Sequence, residues 1–247
     1  MNIGISLLRN KEHVVAKSIE LNDFKIGFEF EIDYLKKYVD RLAEPVNDML
    51  DSLEFELASN LDSNPDLAEQ IDESYFIEAA KIKSYFYNSL IVLTYTVYES
   101  SLQKLSELIK LQTSSKLCYT QLKNSNVSEK SLLFIKLLTG VCGKSDNATY
   151  SRLREFQNLR NKIAHQNSQV QNLNETERHA QLNTMRIAFN RGLRDGDEPK
   201  LIVNLDSGDF SINSSELIFE FIGLVENNVL RITSELKDIV FTVEQHT

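Results

Sequence analysis

The chain has 247 residues, 42% of them hydrophobic and 26% charged, with a formal net charge of −9. That length suits one large domain or one domain with embellishments, and the negative balance excludes a generic nucleic-acid binder coated in positive charge. Only 8 Gly and 3 Pro occur, few for a sheet-rich fold and ordinary for a helical one.

In chain order, the N-terminus MNIGISLLRN lacks a basic start followed by a long apolar run, so no signal peptide is read there. From Asp23 to Ala58, Phe24, Phe28, Ile32, Leu35, Val39, Leu42, Val46, Met49, Leu50, Leu53 and Leu57 recur at helical spacing, and Pro45 marks a kink or a new start. The polar, acidic stretch Asn60 to Glu73, with Asn64-Pro65 as a turn, reads as a connection. Residues 1–73 are therefore expected to form an N-terminal helical extension with an acidic linker, and residues 74–247 the main bundle, the two packed as one domain.

Ser74 to Leu111 is the most hydrophobic helix; Phe86, Leu90, Leu93, Val97, Leu102, Leu105 and Leu108 share a face widened around Ile91, as in a central bundle helix. Its longest apolar run, Leu90 to Leu93, is too short to cross a bilayer, so no membrane partner is expected. A looser stretch to Asn126 leads to a short helix over Ser128–Val141, closing at Gly143. Asn147 to Gln171 carries the core stripe Leu153, Phe156, Leu159 and Ile163, and a polar helical stretch follows over Glu175–Arg191. Lys200–Leu205 and Phe210–Ile212 flank Asp206-Ser207-Gly208-Asp209 as a β-hairpin, and Ser214 or Ser215 caps a last helix through about Val240. The predicted class is all-α: a helical bundle with one β ornament.

The segment Arg160-Asn161-Lys162-Ile163-Ala164-His165 is the leading site candidate. At about 100° per residue, Asn161 and His165 share a face turned away from Ile163, whereas Arg160 and His165 stand about 140° apart. One straight helix cannot aim both at one small spot; a bend near Asn167, a reaching Arg160 or two pooled copies would. A His exchanges protons near neutrality, an Arg stabilises charge building on phosphorus, and Asn161 can position either group. On spacing alone, a surface Arg and His favoured by the dipole at a helix C-terminus explain the segment equally well. From Lys144 to Lys200 ten Lys/Arg face seven Asp/Glu, leaving −12 for the rest: a basic island that fits a confined RNA site and chance variation alike.

The four His, at 13, 165, 179 and 246, are scattered, and two Cys cannot build a four-ligand zinc site. No metal or cofactor is expected, and Cys118 and Cys142 read as buried free thiols in a reducing cytoplasm. Tyr75, Phe76, Tyr85, Phe86, Tyr87, Tyr95 and Tyr98 read first as core and interface packing and second as base-stacking platforms. Arg152 and Arg154 are weak candidates for RNA contact beside the plainer reading of solvent-exposed charges.

Leu159-Arg160-Asn161-Lys162-Ile163-Ala164-His165 resembles the LRN-x-x-AH signature of the HEPN superfamily. Upstream, Leu90 to Glu99 resembles the family's earlier core helix with its aromatic-acidic pair. Downstream, the hairpin and Ser-capped helix resemble the larger HEPN subgroups, the RiboL-PSP-like one among them. The likeness spans roughly Ser74 to Val240 in element order and is sharp only over Leu159 to His165.

The resemblance implies an up-and-down four-helix bundle, commonly a homodimer; this chain adds an N-terminal helix outside the likeness, and its dimer is expected through the helices around 74–111 and 147–171. It also implies a metal-independent endoribonuclease acting by 2′-hydroxyl attack, as a toxin or phage-defence effector with an antitoxin or defence-system partner. Under it Arg160 stabilises the phosphate, His165 is the general acid/base, Asn161 positions, Glu99 holds the Arg and Lys162 contacts RNA. The competing expectation is a non-catalytic HEPN dimerisation or nucleotide-binding module that regulates a partner protein.

Overall fold

A computed structural model describes the backbone of residues 3–123, 126–144, 146–171 and 173–244, with side chains between residues 20 and 237 of these. Among the described residues, helices and one hairpin follow in the order α1 (Ile3–Ser63), α2 (Ala68–Thr113), α3 (Val127–Thr139), α4 (Asn147–Gln166), α5 (Glu175–Phe189), β1 (Leu201–Val203), β2 (Phe210–Ile212) and α6 (Ser215–Glu244). The molecule is mostly helical, with its hairpin before the last helix, as the sequence led us to expect. No described helix is long and apolar enough to cross a membrane.

The N-terminal region differs from the expectation. α1 starts at Ile3 and passes through Pro45 without ending. Pro45 and Arg41 are both solvent-accessible, so the Arg41 carbonyl that loses its helical donor lies on a solvated face. The acidic stretch is not a linker but helix on both sides of Asn64 and a 3₁₀ turn, Pro65–Leu67. From Glu44 to Glu78 the chain holds eleven acidic and no basic residues. From Val46 to Ile82 the half-buried positions are Val46, Leu50, Leu53, Leu57 and Leu61 on α1, and Ala68, Ile71, Tyr75, Ala79 and Ile82 on α2. Their alternating three- and four-residue spacing is that of helices sharing a seam. The acids had marked solvent exposure, not the end of a helix.

The chain forms two compact units that share α1, α2, α4 and α6. The first holds residues up to Tyr34, Tyr95–Leu153 and those from Gly223 on. Its core draws Phe28 and Ile32 from α1, Leu102 and Leu105 from α2, Phe134 and Ile135 from α3, and Val229 and Ile232 from α6. Asn126 caps α3 by accepting from Ser128 N at 3.0 Å. The helix stops at Gly140 (φ 79°), in the left-handed region that favours glycine, rather than at Gly143. Gly143 instead makes room for packing, since a Cβ there would overlap the Leu132 side chain. Its carbonyl accepts from Asn228 Nδ2 at 3.0 Å and from Arg231 Nη2 at 2.9 Å. The buried Tyr98 hydroxyl donates to Asn228 Oδ1 at 3.0 Å, and burial pushes its pKa far up. Tyr95 and Tyr98 are thus core groups, and Leu93, expected on the same buried face, is exposed. Cys118 and Cys142 are free and half-buried rather than fully buried.

The second unit holds Leu35–Thr94 and Arg154–Ile222. Phe156 of α4 stacks on Phe221 of α6 at 4.4 Å between centroids and meets Phe189 of α5 edge-on at 5.3 Å. Leu159, Leu182, Leu201, Ile212, Leu217 and Ile218 close around them, all fully buried. The hairpin pairs Leu201 with Ile212, Ile202 with Ser211 and Val203 with Phe210. Asn190, just past α5, holds Leu201 through both amide atoms, donating to its carbonyl at 2.8 Å and accepting from its N–H at 2.9 Å. Asn174 caps α5 by accepting from Glu177 N at 2.9 Å.

Candidate functional site

α4 presents the motif because its buried stripe, Leu153, Phe156 and Leu159, fixes the helix rotation. Asn161 and His165 then fall on one outward face, four residues apart, as the 100° rule requires. Both line a cavity of about 630 Å³ between α4 and α5, together with Lys162 and Gln166 of α4 and Arg191 just beyond α5. That size is within the range of small-molecule sites, about 300–1,000 Å³.

Arg160 is not among the residues lining this cavity. Its Nη1 donates to Asn161 Oδ1 at 3.1 Å, which leaves the two Nδ2 hydrogens of Asn161 available as donors. Five residues of helix separate Arg160 from His165 by about 7.5 Å of rise and about 140° of rotation, hence by roughly 13 Å across a helix of ordinary diameter. A single phosphate cannot take a hydrogen bond from both on such a path without a second contribution.

The motif helix ends where its chemistry ends. Asn167 and Ser168 adopt positive φ, 51° and 61°, and Ser168 N reaches back to Lys162 O at 3.2 Å. The turn is tied to the hairpin by Val170 N to Gly208 O and Phe210 N to Ser168 O, both 2.9 Å. Asn88 of α2 donates to Ser168 Oγ at 2.9 Å. The expected helix to Gln171 therefore stops at Gln166, and His165 sits exposed in its last turn.

Charge in the cavity is mixed. Burial lowers the Lys162 pKa. Glu155 and Arg191 form an ion pair at 3.0 Å on the cavity wall. Glu155 lies ten residues before His165, about 15 Å along the helix axis, beyond the roughly 8 Å screening length of physiological salt. It therefore bears on Arg191 far more than on His165. Arg191, together with Gln181 and Thr184 of α5, had been legible only as part of a basic and polar stretch.

Of the remaining candidates, Arg154 is exposed, Arg152 is half-buried, and Glu99 is half-buried on α2 in the first unit, whereas Arg160 belongs to the second. His179 is half-buried on α5, a different helix from His165, and its Nε2 is buried without a hydrogen-bond partner among the described residues. His246 and the side chain of His13 lie outside the described residues. Among the described residues, no three His, Cys, Asp or Glu side chains gather to hold a metal ion.

No protein-family model, no curated protein and no solved structure matches this chain.

Proposed function

We propose that the chain is a metal-independent endoribonuclease of HEPN type, a toxin or phage-defence effector that works as a homodimer in the cytoplasm. The observation that carries this reading is the convergence of Asn161, Lys162 and His165 on one cavity with Arg191. His165 takes the proton of a ribose 2′-hydroxyl or returns one to the leaving oxygen. Arg160 stabilises the charge on phosphorus, Asn161 orients a phosphate oxygen through its remaining amide hydrogens, and Glu99 steadies the Arg. Because Arg160 and His165 of one chain stand too far apart, the dimer supplies them from opposite protomers. The acidic run from Glu44 to Glu78 repels phosphate, which confines RNA to the basic α4–α5 side, and a small antitoxin or defence-system protein is the expected regulator.

Purified wild type, His165→Ala and Arg160→Ala, incubated with mixed RNA in EDTA, test the reading. Each variant should lose about 10²- to 10⁴-fold in rate. Equal cleavage by all three would remove the site assignment. The absence of Arg160 from the cavity wall favours one alternative, a non-catalytic HEPN dimerisation or nucleotide-binding module regulating a partner. That reading predicts no cleavage by any of the three, and lost nucleotide or partner binding when Arg160 or Asn161 is replaced.

A further inference from the structure

The turn that ends α4 has a second cavity on its other flank. It measures about 460 Å³ and lies between Ile77–Asn88 of α2, Asn167–Gln169 of the turn, and the hairpin from Ile202 to Ser211. Its rim is apolar and open, with Tyr85 69% and Ile202 43% exposed. Exposed aromatic and aliphatic faces at the mouth of a polar cavity form a platform for a flat ring.

Among amides and hydroxyls that both donate and accept, one lining group, Asp209, is an acceptor alone. The Asp209 carboxylate has no side-chain partner among the described residues and lines the cavity. Asn88 spends both amide hydrogens on Ser84 Oγ at 3.0 Å and Ser168 Oγ at 2.9 Å. Its Oδ1 is buried with no partner among the described residues, so Asn88 braces the cavity wall and leaves the Asp209 carboxylate as the accessible acceptor. Among the described residues, Lys81 is the one Lys or Arg lining the cavity, and it is exposed.

We propose that this cavity is a nucleobase subsite that selects guanine. Guanine alone among the four RNA bases carries a ring N–H and an amino group side by side, a two-donor edge that a carboxylate accepts with both oxygens. Asp209 takes that edge, Tyr85 stacks on the ring, and Lys81 meets the phosphate of the same nucleotide. Two residues, at most about 7 Å of chain, separate His165 from Asn167. A strand with its scissile phosphate at His165 therefore lays the neighbouring nucleotide over this cavity. The chain then cuts RNA beside guanines, a consequence that rests on the ribonuclease reading; the guanine subsite itself does not.

Two measurements keep these apart. Calorimetric titration of the full chain with GMP, AMP, CMP and UMP reads the subsite without cleavage, and end-mapping of cuts in random-sequence RNA reads the consequence. GMP should bind at least about tenfold tighter than the other three. Asp209→Asn should abolish that preference, and Tyr85→Ala should weaken all four about five- to hundredfold, the range for loss of one stacked base. Tyr85 is exposed and Asp209 has no side-chain partner among the described residues, so circular dichroism of both variants should match wild type. Equal or absent binding of the four nucleotides, or a preference that survives Asp209→Asn, overturns the subsite. Selective GMP binding with no RNA cleavage upholds the subsite and ends the ribonuclease reading. Cleavage indifferent to the neighbouring base, with no GMP preference, does the reverse.

Discussion

Mixing the His165→Ala and Arg160→Ala variants is the sharpest test of the proposed shared site. His165→Ala and Arg160→Ala each remove one member of a pair that helix geometry holds roughly 13 Å apart. If each site takes Arg160 from one protomer and His165 from its partner, a mixed dimer has one site with both residues and one with neither. Random exchange at equal concentrations makes about half of the dimers mixed, each with one of two sites intact. The mixture should therefore recover about a quarter of wild-type activity, against the loss of about 10²- to 10⁴-fold in either variant alone.

The assay is cleavage of a fluorescent RNA in EDTA after co-refolding or prolonged incubation of the two proteins, with each alone at the same total concentration. Recovery should grow with exchange time and should fail when one variant is first locked as a crosslinked dimer. A mixture no more active than its components, with subunit exchange verified by mass, would refute the shared site. A wholly monomeric mass at micromolar concentration would refute it earlier.

Three further outcomes follow from packing and burial. Phe156→Ala removes a fully buried ring flanked by Phe189 and Phe221, and should cost about 3–5 kcal/mol in urea unfolding. Tyr98→Phe leaves Asn228 Oδ1 buried without its donor, and should cost about 1–3 kcal/mol by the same measurement. Lys162 has its pKa lowered by burial, so its charge opposes folding below the folded-state pKa, and that penalty fades as pH rises from there towards the unfolded value. Lys162→Met should raise the melting temperature at neutral pH, and the gain should shrink in strongly alkaline buffer.

Helix content was legible because apolar residues recurred at helical spacing over long windows; helix ends were not. The stretch Asn60 to Glu73 has no apolar run and contains Asn-Pro, the signature of a loop, yet all but a short turn of it is helical. Its acids sit on exposed positions, where composition says only that water is near. The stop of α3 was misassigned for a related reason. Both Gly140 and Gly143 are plausible caps, and only packing shows that one supplies a left-handed turn while the other makes room for Leu132. Leu93 shows the same limit: on a helix with many apolar residues, periodicity does not say which edge of a wide stripe faces out.

The candidate site was legible along α4 and illegible across it. Rotation per residue was enough to put Asn161 and His165 together and Arg160 elsewhere, because one helix obeys one rule. Arg191 reaches the α4–α5 cavity, and Asn88 and Asp209 reach the turn, from other elements, brought there by the Phe156–Phe221 stack, the Asn190 clamp and the Ser168 hydrogen bonds. None of these contacts leaves a spacing in the sequence, since each joins residues scores of positions apart or hangs on a single amide. A cavity opens on each flank of the last turn of α4, and α2 and the hairpin hold that turn from outside. A ligand in the hairpin-side cavity therefore bears on Asn167 and Ser168, two and three residues from His165. Binding there should protect the amides of residues 165–170 from hydrogen exchange before it alters exchange in the buried middle of α4.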